Sequence, residues 1–170
     1  MHSGTLYTIG HGRRQAEDFL ALLKTFDIHY LVDVRSVPHS RFNPQYNQKT
    51  LKQFLESKGI TYVFMGDQLG GRPQDAACYD SAGHINYQAV KKKEFFKEGL
   101  ERLKTAHDKN VKIALMCSES KPQDCHRSRL IGIALSEEQV DVSHIDEKGT
   151  LKSQQEVMHL ISGERSGSLF

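Results

Sequence analysis

Short apolar runs alternate with helix-period stripes along almost the whole chain, and this alternation limits the fold more than any other feature. Leu6–Ile9 is a strand-length run ending in Gly10-His11-Gly12. Phe19, Leu20, Leu22, Leu23 and Phe26 then recur along one side of a helix. Tyr30–Val34 is a second strand, too apolar to be half exposed. Ile60–Phe64 reads as a third, Val111–Met116 as a fourth and Val142–Ile145 as a short fifth. Between them the helices are punctuated. Asn47 N-caps one helix, Tyr46 and Leu51 staple it, and Gly59 takes its left-handed C′ position. Tyr87–Lys109 reads as a long helix, and Asp124 caps another running to about Leu135. Ser153-Gln154-Gln155-Glu156 is a capping box opening a last helix that Gly163 stops.

Strands joined to helices by short links build a parallel sheet covered on both faces. The expectation is a single three-layer α/β domain over residues 1–163, with a mostly parallel sheet of about five strands flanked by helices. Residues 164–170 are expected to fray. At 170 residues the chain is one domain long and buries roughly 70% of its surface without a disulfide or metal staple. Three cysteines do not make a secreted disulfide framework. No apolar run approaches the roughly 18 residues of a membrane span, and the first residues lack a signal-peptide core, so a cytoplasmic protein with no membrane partner is expected. The charge balance of +2 excludes a general basic coat for nucleic acid.

Ligands of open parallel sheets bind beyond the carboxyl ends of the strands. The reactive residue types fall there. Gly10, His11, Gly12, Arg13 and Arg14 follow the first strand; Arg35, Ser36, His39, Ser40 and Arg41 follow the second. Cys117, Ser118 and Glu119 follow the fourth, and Cys125-His126-Arg127 open the next helix. Of nine arginines, seven (Arg13, Arg14, Arg35, Arg41, Arg72, Arg127 and Arg129) lie in these loops, in the 66–86 stretch, the longest without regular pattern, or at the helix start after the fourth strand, whereas the lysines sit mainly on helix faces. Arginine forks match phosphate and carboxylate, and glycines after a strand let backbone N–H groups approach an anion. The Gly10–Arg13 loop has neither Walker A nor dinucleotide-fold spacing.

The densest cluster runs from Cys117 to Arg127. A helix start and Arg127 favour the Cys125 thiolate, and Asp124 opposes it. Three uses compete: a cysteine nucleophile with His126 or His11 as base, a metal held by Cys117, Cys125 and His126 with His11 or Glu119, and a redox pair. Asp33 aims Arg35, and Glu119 is a candidate general base.

Thr8-Ile9-Gly10-His11, Leu31–Arg35, Pro38-x-Ser40-Arg41, Leu69-Gly70-Gly71 and Cys117-x-Glu119-x-x-Pro122-x-x-Cys125-His126-Arg127 occur in order. Together, from Tyr7 to about Ile145, they resemble the prokaryotic family known as domain of unknown function 488. The resemblance implies a compact α/β domain with these motif residues as its site, Gly70 and Gly71 included, and no settled reaction. Gly12 departs from it, standing where members commonly carry Ser.

These residues point to an enzyme acting on an anionic, phosphate-bearing substrate, either a nucleotide or a nucleic acid. His11, Glu119, Cys117 and Cys125 are the catalytic candidates. Gly10, Gly12, Arg13, Arg35, Ser40, Arg41, Gly70, Gly71, His126 and Arg127 are the substrate-binding ones. No cofactor is identified. Single-stranded nucleic acid enters this reading if Tyr46, Phe42 or Tyr79 provide stacking surfaces near the carboxyl edge of the sheet. The alternatives are a non-catalytic nucleic-acid-binding module and a Cys/His metal-binding module.

Overall fold

The computed structural model describes residues 6–167, with side chains described through residue 163. Five parallel strands form as expected: β1 (Leu6–Gly10), β2 (Tyr30–Asp33), β3 (Thr61–Phe64), β4 (Ile113–Cys117) and β5 (Ser143–Ile145). A sixth, β6 (Leu151–Ser153), pairs antiparallel with β5 and closes the sheet order β3-β2-β4-β1-β5-β6. The chain is thus one α/β domain with six strands rather than five. β6 escapes a pattern reading because it has three residues, none of them buried, the last of which is Ser153 of the capping box.

Alternating side chains of the buried strands feed two cores. Ile9, Leu31, Ala114 and Met116 meet α1 (Ala16–Thr25) and α2 (Gln48–Ser57) through Phe19, Leu23, Leu51 and Leu55. Leu6, Val32, Ile113, Leu115 and Cys117 face the other way. That second core holds Leu69 of α3 (Gly66–Leu69), Val90 of α4 (Tyr87–Lys91), and Phe96 and Leu100 of α5 (Glu94–Asp108). It also holds Leu130 of a π-helical turn (Arg127–Gly132) and Leu135 of α6 (Ile133–Glu137). Three layers result.

Several local expectations shift. The long helix is interrupted between Lys91 and Glu94, giving α4 and α5. Asp124 ends a 3₁₀ turn, Pro122–Asp124, instead of capping a helix. Gly59 has the expected positive φ of 84°. Asn47 sits at the N-cap position of α2, but its Oδ1 accepts from the Ser40 backbone N–H (2.7 Å) instead of from the helix. The capping box forms, with Ser153 N–H donating to Glu156 (3.3 Å) and Glu156 N–H donating to Ser153 Oγ (3.1 Å). Its helix, α7 (Gln154–Gly167), runs past Gly163, so the expected frayed tail is helical as far as Gly167. Residues 1–5 and 168–170 of the expected domain and tail lie outside the described residues.

No helix among the described residues is long and apolar enough to cross a membrane.

Candidate functional site at the carboxyl tips of β1 and β4

β4 lies between β1 and β2, so the three strand tips that carry the motif residues are neighbours. The connection from β1 passes over the α1 face towards β2, whereas the chain leaving β4 passes over the opposite face towards β5. Such a divergence of neighbouring connections opens a crevice at the carboxyl edge of an open sheet. Here it is a shallow cleft of about 420 Å³ whose lining includes His11, Gly12, Arg13, Ser40, Ser118, Glu119 and Ser120.

The two walls continue the sheet ladder. His11 N–H donates to Cys117 O (2.9 Å) and Gly12 N–H to Ser118 O (3.0 Å). The 118–120 loop then folds across the tip of β1, where a Cβ on Gly10 would lie 1.6 Å from Glu119 O. Only glycine fits under that loop. Gly12 has φ +53°, and a Cβ there would approach Ser120 Cβ to 3.0 Å. A serine at position 12 would therefore be strained in this chain.

His11 is 2% exposed, and its ring stacks on Tyr46 with centroids 4.3 Å apart. Its Nδ1 lies 2.9 Å from Gly12 O, an acceptor, which places the proton on Nδ1. Nε2 is then a lone pair 3.4 Å from Arg35 Nη1. Burial lowers the His11 pKa to about 4, with the Arg35 charge adding to it and the Gly12 carbonyl opposing. The ring is neutral at pH 7.

The arginines divide by depth. Arg13 and Arg41 are exposed at the cleft and its rim. Arg35 is buried and forked onto Asp33 (Nε–Oδ1 2.9 Å, Nη2–Oδ2 2.8 Å), with Nη2 also donating to Tyr46 O (2.8 Å). Arg127 is 0% exposed. It donates to Thr8 Oγ1 (2.7 Å), Ile145 O (3.2 Å), Glu119 O (3.4 Å) and Ser120 O (2.9 Å), and its Nε has no partner. Arg35 and Arg127 were expected to grip the anion directly; the structure engages both internally, and Arg127 holds the cleft loop from beneath. Arg14 is likewise a brace, donating to Gly10 O and, at 2.8 Å, to Asp146 O.

The cysteines lie below the cleft surface, Cys117 1% and Cys125 5% exposed. Burial alone would raise the Cys117 thiol. A hydrogen bond from Cys125, the Arg127 charge and the Glu119 backbone outweigh burial and hold it below the usual thiol range. Cys125 is pushed well up by burial and by Cys117. The acidic member of the pair is thus Cys117 rather than Cys125, because burial and the Cys117 sulfur outweigh the Arg127 backbone and charge that favour the Cys125 thiolate. His126 turns away from the cleft, with Nε2 3.0 Å from Val34 O and Nδ1 3.5 Å from Cys125 Sγ. Gly70 and Gly71 are close-packing positions. A Cβ would lie 2.2 Å from Ser36 Oγ at Gly70 and 2.9 Å from the His126 ring at Gly71. Among the described residues no group of three or more His, Cys, Asp or Glu is placed to hold a metal ion, so Cys117, Cys125 and His126 do not assemble the ligand set of the metal-binding alternative.

A buried polar chain supports the floor. Arg127 donates to Thr8 Oγ1, which leaves the Thr8 hydroxyl to donate to His144 Nδ1 (2.6 Å). His144 Nε2–H then donates to Gln154 Oε1 (2.6 Å), and Gln154 Nε2 to Ser128 O (2.9 Å). Sequence reasoning carried Thr8 only as a motif residue and missed His144 and Gln154. His144 showed only as a polar residue in a buried strand, and the β1–β5 register that places it opposite Thr8 is not local information.

A larger cavity of about 890 Å³ opens at the other edge of the sheet, beside Ser143 and Gln154, and carries none of the motif residues.

No curated protein and no solved structure gives a significant match to the chain. A family model, "Domain of unknown function DUF488", matches residues 15–134. That span begins just before α1, so β1 and His11 lie outside it, and it includes Arg35, Arg41, the Gly70-Gly71 turn and the whole Cys117–Arg127 cluster. The match covers well over half of the molecule, and on it the chain belongs to the DUF488 family.

Proposed function

We propose that the cleft between the β1 and β4 tips binds a phosphate-bearing substrate, a nucleotide or nucleic acid, and that the protein hydrolyses or transfers its phosphoester. The supporting observation is the convergence in one crevice of a left-handed glycine turn, an exposed guanidinium on Arg13, three serine hydroxyls and the Glu119 carboxylate. The turn and Arg13 meet the anion, and Ser40, Ser118 and Ser120 supply neutral donors. The charge of Arg35 is neutralised by Asp33, whereas the buried charge of Arg127, held beneath the 118–120 loop by neutral acceptors, adds a positive field from behind, where low dielectric strengthens it.

Glu119 is the general base in this reading, since it is exposed in the cleft and free to take a proton from water or a hydroxyl. His11, neutral with its Nε2 towards Arg35, positions that guanidinium and is not a proton donor at pH 7. Cys117 sits behind the loop beside Arg127, whose charge favours its thiolate, and does not touch the substrate.

The test is turnover of mononucleotides and bis(p-nitrophenyl) phosphate. Glu119→Gln is expected to lower kcat by about 10²–10⁴ with KM little changed, and Cys117→Ser to retain most of kcat. Loss of turnover in Cys117→Ser with Glu119→Gln active would move the chemistry to the thiol. Salt-sensitive binding with no turnover in the wild type would favour the non-catalytic module.

A further inference from the structure

The large hydrophobic side chains left in solvent are unevenly spread. Tyr30, Leu151 and Leu160 are about 40% exposed, whereas Val37 and Phe42 reach 70% and 85%, and those two share the loop between β2 and α2. That loop is held in place. Ser40 N–H donates to Asn47 Oδ1 (2.7 Å), Asn43 N–H to Ser40 Oγ (3.1 Å), and Gln48 N–H to Pro38 O (3.0 Å). Phe42 is therefore presented by a hydrogen-bonded turn.

Its position gives the exposure meaning. Ser40 and Asn43, on either side of Arg41-Phe42, line the cleft. The Arg41 guanidinium lies 5.7 Å from the Phe42 ring centroid, covering one face and leaving the other to solvent. An aromatic face backed by a guanidinium and set beside an anion cleft is a stacking platform for a nucleobase whose phosphate lies in that cleft. Tyr46 and Tyr79, the other aromatics near this edge, do not serve. Tyr46 is fully buried against His11, and Tyr79 is half-buried with its hydroxyl donating to Pro73 O (2.7 Å).

We propose that Phe42 and Arg41 form a base-stacking platform at the cleft rim, and that the substrate is single-stranded nucleic acid. This rests on the phosphate reading of the cleft and names the class of substrate within it. The choice of a strand over a free nucleotide follows from shape. The cleft is shallow and the platform stands outside it, so nothing encloses a small ligand, whereas successive residues of a strand reach both. In a duplex the base faces are stacked away, and Phe42 has nothing to receive.

The experiment is fluorescence anisotropy with a labelled ten-residue oligothymidine, competed by inorganic phosphate, thymidine monophosphate and a duplex of the same length. Phe42→Ala is expected to weaken strand binding about tenfold, leaving competition by inorganic phosphate unchanged. Phe42→Trp is expected to bind at least as well as the wild type, with the introduced indole quenched by the strand. Equal strand affinity in wild type and Phe42→Ala would overturn the platform while leaving the cleft reading intact. Thymidine monophosphate competing as well as the strand, or the duplex binding as tightly, would overturn the choice of strand. If neither strand nor inorganic phosphate binds the wild type and Arg13→Ala changes nothing, the cleft reading itself fails.

Discussion

Replacing Asp33 by alanine is expected to destabilise the protein by roughly 3–5 kcal/mol, the range for removing one partner of a buried ion pair. Asp33 is fully buried at the tip of β2 and accepts from Arg35 Nε (2.9 Å), Arg35 Nη2 (2.8 Å), the Arg35 backbone N–H (3.1 Å) and Tyr62 OH (2.5 Å). Without the carboxylate, a guanidinium that is 5% exposed stands uncompensated, and a phenol and a backbone N–H lose their acceptor. Asparagine keeps one acceptor oxygen and removes the charge, so it should fall between wild type and alanine. Changing both partners, Asp33→Leu with Arg35→Met, removes the stranded charge and should recover much of the loss. Urea unfolding of the three variants measures this directly. A loss below about 1 kcal/mol for alanine would mean that the pair is not buried in the manner described.

The second large effect is acid sensitivity. His11, His126 and His144 all have pKa values lowered to about 4, in each case mainly by burial. In the unfolded chain each returns to about 6.5. Between those values the unfolded state binds more protons, so stability is complete above about pH 6.5 and falls as pH drops towards 4. For one such histidine the loss between pH 7 and 5 is about 2 kcal/mol. His144 gives the clearest test, because it is fully buried and linked through Thr8 to Arg127, whose positive charge also opposes protonation. The urea midpoint of the wild type should be clearly lower at pH 5 than at pH 7, and His144→Gln should narrow that gap. An unchanged wild-type midpoint across this range would contradict the neutral assignment of these rings.

What the sequence made legible was whatever is written locally. Apolar periodicity identified β1 to β5 and the helices beside them, and the capping box at Ser153 located the start of α7. The rule that sites lie beyond parallel strand ends placed His11, Arg13, Ser40 and Glu119 at one edge, and they do share a cleft. The roles of Arg35 and Arg127 were not legible. Both read as anion forks: Asp33 was legible as the local partner that aims Arg35, but the Tyr46 carbonyl that completes the engagement of Arg35, and Thr8 and the Ile145 carbonyl that engage Arg127, arrive from far along the chain. The cysteine assignment reversed for a related reason. Asp124 has the side chain of an N-cap, but Pro122 initiates a 3₁₀ turn that ends at Asp124, and the following turn is π-helical. Cys125 stands just before that helical turn, and the Arg127 backbone N–H and charge do lower its thiol, but burial and the neighbouring Cys117 sulfur outweigh them.

The divergence of the chain at β1 and β4 is the architectural reason for expecting a ligand at this edge, even though a larger cavity lies at the other. Amide-resolved NMR, titrating the protein with thymidine monophosphate, addresses that choice most directly. The expected result is saturable shifts concentrated at Gly12, Arg13 and Ser118–Ser120. Shifts confined to the Ser143–Gln154 cavity, or none anywhere at millimolar ligand, would contradict a phosphate site at the strand tips.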